Sequence, residues 1–471
     1  MKSLPCRRSF PLQWWVAAMA VVLSGAAACS DDDDSGGNTN NQNGNWYEPY
    51  QVMPSSALPG IRDWVVRRGI VHCHSPYSHD ACDGNPRPDG ERNEACFQDV
   101  RHGMCSTRQD FVFLTDHDDL FADFEFPEVL LFAPGDTLIE RGGGPVANRV
   151  DCGDGHQVVV AAGTESGMMP IGIERHLGAT PAERYEAYNI IDATAIAALQ
   201  GVGALVFLHH TEEWSETDVL TLPIDGIEIY NMHRNMMDNL SKVIELAILL
   251  ATDPESMPVP ELGLLGVFEE IPEDLAHWSR ASAIRRMPGV LATDAHQNVV
   301  DEPMEDGDRL DSFRRGMRWF SNYVLVPPGP VDDAVLKAVI AEGRLYGAFD
   351  YLGYPLGFDF HGVADGQVVE MGGETTGAAS VTLSVSAPVV WNLDPSGPQP
   401  TIRCLLLRAD GAGAWEEVDS AEGALSYVAD PGVYRAEVRI LPDHLRPWLG
   451  PTPDVWVVEK VWIYSNPIYV R

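Results

Sequence analysis

Five short segments of this 471-residue chain bring together side chains that bind metals or move protons. They are His72-Cys73-His74, Thr115-Asp116-His117, Gly163-Thr164-Glu165, His209-His210 and Thr293-Asp294-Ala295-His296, and each follows an apolar run. Side chains alternate along a strand, so at a strand end His72 and His74 share one face while Cys73 points away. Imidazole is a borderline ligand, so histidines mixed with Asp and Glu suit Zn, Mn or Fe better than Ca or Mg, which prefer oxygen cages. A hydroxide held between two such ions has its pKa lowered toward neutrality, and the ions neutralise charge developing on substrate oxygens. Attack at phosphorus and attack at an acyl carbon both fit that chemistry.

The elements that must position these residues are legible as alternating strands and helices. From about Ile61 to Gly357, runs such as Phe111-Val112-Phe113-Leu114, Val158-Val159-Val160-Ala161, Ala204 to Leu208, Gly226 to Tyr230 and Gly289 to Ala292 read as strands. Helices are expected between them, among them Pro181 to Leu199 and Val331 to Glu342. This is the pattern of parallel strands joined by crossover helices, closed as a barrel or left as an open α/β sheet. Such folds place their sites just beyond the C-terminal ends of the strands, where these residues fall. After Gly366 the pattern changes to alternating β residues (Ala379 to Ser386, Thr401 to Arg408, Gly432 to Ile440, Val455 to Tyr464), as in a sandwich.

The order His-x-His, Thr-Asp-His, a strand-end Glu, two further His and Asp-x-His resembles the PHP (polymerase and histidinol phosphatase) superfamily over about Arg68 to His296. Glu342-Gly343-Arg344-Leu345-Tyr346, Gly357-Phe358, Pro431 to Arg435 and Ser465-Asn466-Pro467-Ile468 are similar to the CehA/McbA-like branch, named for a carbamate-ester hydrolase. The resemblance implies a distorted seven-stranded (β/α) barrel binding two to three divalent ions, followed by an immunoglobulin-like β-sandwich. Its members are mostly phosphoesterases. Carried over residue by residue, the metal ligands are His72, His74, Asp80, His117, Glu165, His176, His210, Asp294 and His296, with Glu165 bridging two ions. His79 competes with Asp80, and His209 with His210. Beside the ligands, Asp116 is placed to orient an imidazole; Glu228, His233 and Arg234 line the substrate cavity, with Arg234 available to clamp a phosphate or carboxylate. Glu165, Asp116 and Arg234 are the residues expected to serve catalysis.

Asp and Glu total 69 against 32 Lys and Arg, a formal net charge of −37, which disfavours nucleic acid as a partner. Arg7-Arg8, the apolar run through Trp14 and Trp15 to Leu23, and Leu23-Ser24-Gly25-Ala26-Ala27-Ala28-Cys29 resemble a lipoprotein signal, exported by the general or the twin-arginine route. The chain therefore divides into a signal peptide (1–28), an acidic Asn- and Gly-rich tether (29–58), a catalytic domain (59–365) and a sandwich (366–471). Lipid at Cys29 would hold it to the cell envelope, at an outer membrane and facing the periplasm or surface. Cys82, Cys96, Cys105 and Cys152 lie in turn-rich stretches where one or two disulfides fit, with the pairing open; Cys73 and Cys404 read as buried thiols. The reading is a metal-dependent hydrolase of small-molecule esters, a phosphoesterase first. Its rivals are a carboxylic or carbamic ester or amide hydrolase with the same centre, and a non-catalytic surface binding lipoprotein.

Overall fold

The computed structural model describes residues 46–299, 303–304 and 306–471. The segment expected to be a signal peptide, the expected lipid site Cys29 and most of the expected tether lie outside them. Among the described residues no helix is long and apolar enough to cross a membrane.

Among the strands of the N-terminal part are β1 (Val65–Cys73), β2 (Phe111–Phe113), β3 (Gln157–Ala161), β4 (Met169–Ile171), β5 (Leu205–Leu208), β6 (Gly226–Asn231) and β7 (Gly289–Ala295); in addition a hairpin of Thr137–Arg141 and Gly144–Asp151 pairs antiparallel with β3, and Asp116–His117 pairs parallel with Thr164–Glu165. β1 lies parallel to β2 on one side and β7 on the other; β2 is parallel to β3, and β5, β6 and β7 are parallel in turn. Short β4 runs antiparallel to β5, and Gly163, just past β3, bridges Ile171 at the end of β4. Strands covered on both faces need continuous apolar runs rather than alternation, which is why Phe111, Val112 and Phe113 are all buried. Close contact between strands is set by glycine at Gly69, where a Cβ would collide with the Phe111 ring and carbonyl.

The helices of seven residues or more among the described residues are α1 (Glu94–Ser106), α2 (Pro181–Tyr188), α3 (Ala193–Gly201), α4 (Met232–Asp238), α5 (Leu240–Thr252), α6 (Pro272–Ile284), α7 (Phe313–Trp319) and α8 (Asp333–Ala341), and the short helix Glu216–Thr221 joins β5 to β6. The single helix expected over Pro181 to Leu199 is two. Thr180 and Glu183 form a capping box at the start of α2, and Asp192 restarts the helix by accepting from the amides of Thr194 and Ala195.

The sheet continues beyond the seven strands without a gap at 365/366. β8 (Ser321–Val326) is antiparallel to the first half of β1, and β9 (Leu345–Ala348) is antiparallel to β8. β10 (Thr401–Ala409), β11 (Trp415–Glu422), β12 (Gly432–Leu441), β13 (Lys460–Ser465) and β14 (Ile468–Val470) follow, and β13 pairs with β9 at Tyr346 to Ser465 and Ala348 to Ile463. A second antiparallel sheet joins Asp359–Ala364 to Gln367–Glu370 and Val381–Ser386, and the latter to Leu425–Ala429. The strand expected from Val455 begins only at Lys460, because Pro453–Val455 is a short 3-10 turn.

The tether expected to run to 58 ends sooner. Met53 is fully buried, the Tyr47 amide donates to the Asn392 carbonyl at 2.7 Å, and Arg318 donates to the carbonyls of Pro49 and Gln51. Two disulfides, Cys82–Cys96 and Cys105–Cys152, settle the pairing left open by sequence, and Cys73 and Cys404 are buried thiols.

Candidate metal centre

Five imidazoles converge on the carboxylate of Glu165. Its Oε1 lies 3.0 Å from His209 Nδ1 and 3.0 Å from His210 Nε2; its Oε2 lies 3.3, 3.2 and 3.6 Å from Nε2 of His72, His74 and His117. Asp294 Oδ1 sits 3.2 Å from Nε2 of both His72 and His74, and its Oδ2 is 3.3 Å from His210 Nε2. Asp80 Oδ2 joins His296 Nε2 at 3.1 Å and His117 Nε2 at 3.3 Å. Three overlapping groups result, each compact enough to hold an ion: His74, His117, Glu165 and His296; His72, His74, Glu165 and Asp294; and Glu165 with His209 and His210.

The rings are held from behind, which decides which nitrogen faces the centre. His72 Nδ1 meets Glu228 Oε1 at 2.5 Å, His74 Nδ1 meets Ser78 Oγ at 3.0 Å, His117 Nδ1 the Glu165 carbonyl at 3.2 Å, and His296 Nδ1 the Asp294 carbonyl at 2.9 Å. His209 is reversed, with Nε2 on the Ser166 carbonyl and Nδ1 turned inward. The inward nitrogens of His72, His209 and His296 are buried without a hydrogen-bond partner. Buried polar atoms are rarely left so, and nitrogens packed against carboxylate oxygens at these distances are what a shared cation requires. The donor set therefore fits a divalent metal.

Backbone strain marks the same residues. His72, His210 and Asp294 have φ of 64°, 44° and 50°, a left-handed conformation non-glycine residues rarely adopt. The register between β1 and β7 shifts between Val71 and Cys73. Simple alternation is thus broken at His72, and a local twist, rather than an ideal strand, brings the His72 and His74 rings to 5.2 Å.

Electrostatics follow from burial and crowding. Burial disfavours charge on every member, yet Asp294, Glu228 and Glu165 hold His72 well above the ordinary imidazole range. Against burial, Asp80 and Glu165 push His117 up to about 10. Glu165 and Asp294 are held well below the carboxylate range, again against burial, with His72 the leading opposing charge for both.

Several sequence expectations need correction. His176 does not join the cluster: Nδ1 meets the Tyr188 hydroxyl at 2.9 Å and Nε2 the Phe124 carbonyl at 2.7 Å, with Phe121 and Phe126 around the ring. Asp116 orients no imidazole; it accepts from the Ser75 amide at 2.6 Å and the Ser75 hydroxyl at 2.8 Å, fixing the turn after β1, and burial raises its carboxyl to about 7. Arg234 is engaged by carboxylates, its Nε 2.8 Å from Asp238 and 3.3 Å from Glu212. Glu228 is fully buried beneath the cluster, where its Oε2 accepts from the His210 amide at 2.9 Å and from Asn231 at 3.1 Å. Of the two open pairs, His79 turns outward to Asp119, leaving Asp80 to the cluster, whereas His209 and His210 both reach Glu165. Ser78 was no candidate by sequence, yet it ties His74, Asp80 and the His117 amide together.

No family model and no curated protein matches this chain. Among solved structures, it is similar to a two-domain protein from Bacteroides vulgatus ATCC 8482 containing a predicted PHP-like metal-dependent phosphoesterase. The identity is 12%, the match covers 86% of this chain and 96% of that one, and the TM-score is 0.33. So distant a likeness decides neither fold nor function.

Proposed function

We propose that this chain is a metal-dependent hydrolase of the PHP type, acting on phosphoesters and anchored to the cell envelope through lipid on Cys29. The observation that carries the reading is the Glu165 carboxylate ringed by five imidazoles, of which His72 and His209 aim buried nitrogens inward that have no hydrogen-bond partner. The order of these residues along the chain agrees with it, as does a circuit of strand pairings that runs from β1 round to β7 and back, the arrangement a seven-stranded barrel requires.

His72, His74, Asp80, His117, Glu165, His209, His210, Asp294 and His296 would hold two to three ions, and Glu165 belongs to each of the three compact groups. Divalent ions supply Lewis acidity, which makes water nucleophilic near neutral pH and stabilises charge on the ester oxygens. The chain's own residues do the positioning. Glu228 fixes His72 and the His210 backbone, Ser78 fixes His74 and Asp80, and Asp116 fixes the turn through Ser75.

One observation favours hydrolysis of carboxylic or carbamic esters at the same centre: Arg234, the expected anion clamp, is already neutralised by Asp238 and Glu212. Assaying aryl phosphates beside aryl carbamates and aryl acetates on metal-loaded protein separates the two. Phosphate turnover lost in His72→Ala supports the first reading; carbamate or acetate turnover alone establishes the second; and inert metal-loaded protein defeats both in favour of a binding protein.

A further inference from the structure

Beside the cluster lies a cavity of 70 Å³, several times the ~10–15 Å³ that admits one water. Asp294 and His296 form part of its wall, so anything seated there is next to the metal ligands. Most of the remaining wall is apolar: Met232, Met236, Leu246, Val267, Leu310 and Trp319. His233 also lines the cavity, its ring 5.6 Å from that of His296.

We infer that this cavity seats an uncharged alkyl or aryl arm of the ester cleaved at the cluster. The inference rests on the hydrolase reading and adds the substrate class to it. Three features carry it. Among the described residues neither lysine nor arginine lines the cavity, and its two carboxylates are already engaged, Asp294 by His72, His74 and His210 and Asp311 by Arg309 at 3.0 Å, so no cation of the wall is offered to an anionic arm. The apolar wall rewards burial of hydrocarbon, at about a fourfold gain per methylene. Two methionines in the wall can adjust to different shapes, so a range of short arms is accepted.

The test uses metal-loaded full chain lacking only the lipid signal. 4-Nitrophenyl alkyl phosphodiesters and 4-nitrophenyl alkanoates, each with arms of one to five carbons, are compared by kcat/KM. The expected result is a rise of about fourfold per methylene over the first steps, followed by a plateau. Gly316 lines the cavity, and a Cβ there would stand 3.4 Å from Met232 Cε and 3.5 Å from Ala295 Cβ. Gly316→Val should therefore collapse the ratio of butyl to methyl activity, and Leu310→Ala should extend the optimum to longer arms. Benzyl alcohol gives a readout independent of turnover, by quenching emission that a Trp319→Phe variant lacks. Turnover indifferent to arm length together with no benzyl alcohol binding overturns the inference and leaves the hydrolase standing. Benzyl alcohol binding to metal-loaded protein that hydrolyses neither series retains the cavity as a site for apolar groups and removes the hydrolase.

Discussion

His72 shows how one side chain is set to face the cluster. Its Nδ1 is pinned by Glu228, its backbone is bent to a positive φ, and its Nε2 is left facing Glu165 and Asp294. Partners behind a ligand set its orientation and basicity, and their loss typically weakens metal binding about 10–100-fold. Glu228→Gln should show that loss in a chelator competition while the fold, read by circular dichroism, is retained. A signal for Glu228 was present in the sequence, since a carboxylate inside the run Gly226 to Tyr230 must be paired if the strand is buried. The His72, His74, His117, Glu165, Asp294 and His296 positions were legible because type and strand-end spacing agree. His176 was not, because a histidine that satisfies both nitrogens with a tyrosine and a carbonyl looks the same in sequence as a ligand. A second buried residue, Asp350, accepts from Tyr323 at 2.7 Å and Ser321 at 2.7 Å and lies 3.6 Å from the fully buried Arg68. Removing it strands a buried guanidinium, so Asp350→Ala should cost about 3–5 kcal/mol in urea unfolding.

At the scale of elements, the turn after β1 carries Asp80 and is fastened on two sides. The Cys82 amide donates to the His296 carbonyl at 3.0 Å, and the Cys82–Cys96 disulfide joins the turn to α1. Cys105–Cys152 then ties the end of α1 to the strand edge beyond it, across 47 residues rather than 14. Loop closure gives the longer bridge the larger effect, about 4 kcal/mol against about 3. Replacing Cys105 and Cys152 together by serine should therefore lower the urea midpoint more than replacing Cys82 and Cys96, whereas only the second pair should weaken metal retention. The alternation of strands and helices was readable because strands buried on both faces are continuously apolar. The break between α2 and α3 was not, because Asn189 to Asp192 interrupts a pattern whose flanks are both helical. β11 and Leu425–Ala429 were missed for the opposite reason: much of their length is exposed and too polar to announce a strand.

Across the whole molecule, the C-terminal strands extend the sheet whose strand ends carry the cluster. A chain ending at 365 would lose β13, leaving the β9 edge from Tyr346 to Ala348 unpaired and apolar surface bare. That fragment should be insoluble or aggregate on refolding, as judged by gel filtration, although the change of sequence pattern at Gly366 invites a cut there. His444 adds a pH dependence to the same junction. Its Nε2 meets the Leu352 carbonyl at 3.1 Å, and burial lowers its pKa to about 4. The unfolded chain takes up the proton near 6.5, the folded one only near 4, so this stabilisation is complete above pH 6.5 and is lost as pH falls toward 4. The loss approaches roughly 3 kcal/mol, and His444→Gln should lack that part of the acid dependence when unfolding free energies are compared between pH 7 and pH 4.

Residues, strands and sheet together shape the strand ends as a site for metal. The most direct measurement is metal content by mass spectrometry on purified chain beginning at Ser30, beside Glu165→Ala. Two to three ions of Zn, Mn or Fe per chain are expected, falling to one or fewer in the variant, with a lower Tm after chelation. Metal-free protein that takes up none of these ions on dialysis, and whose Tm chelators leave unchanged, would contradict a metal site there.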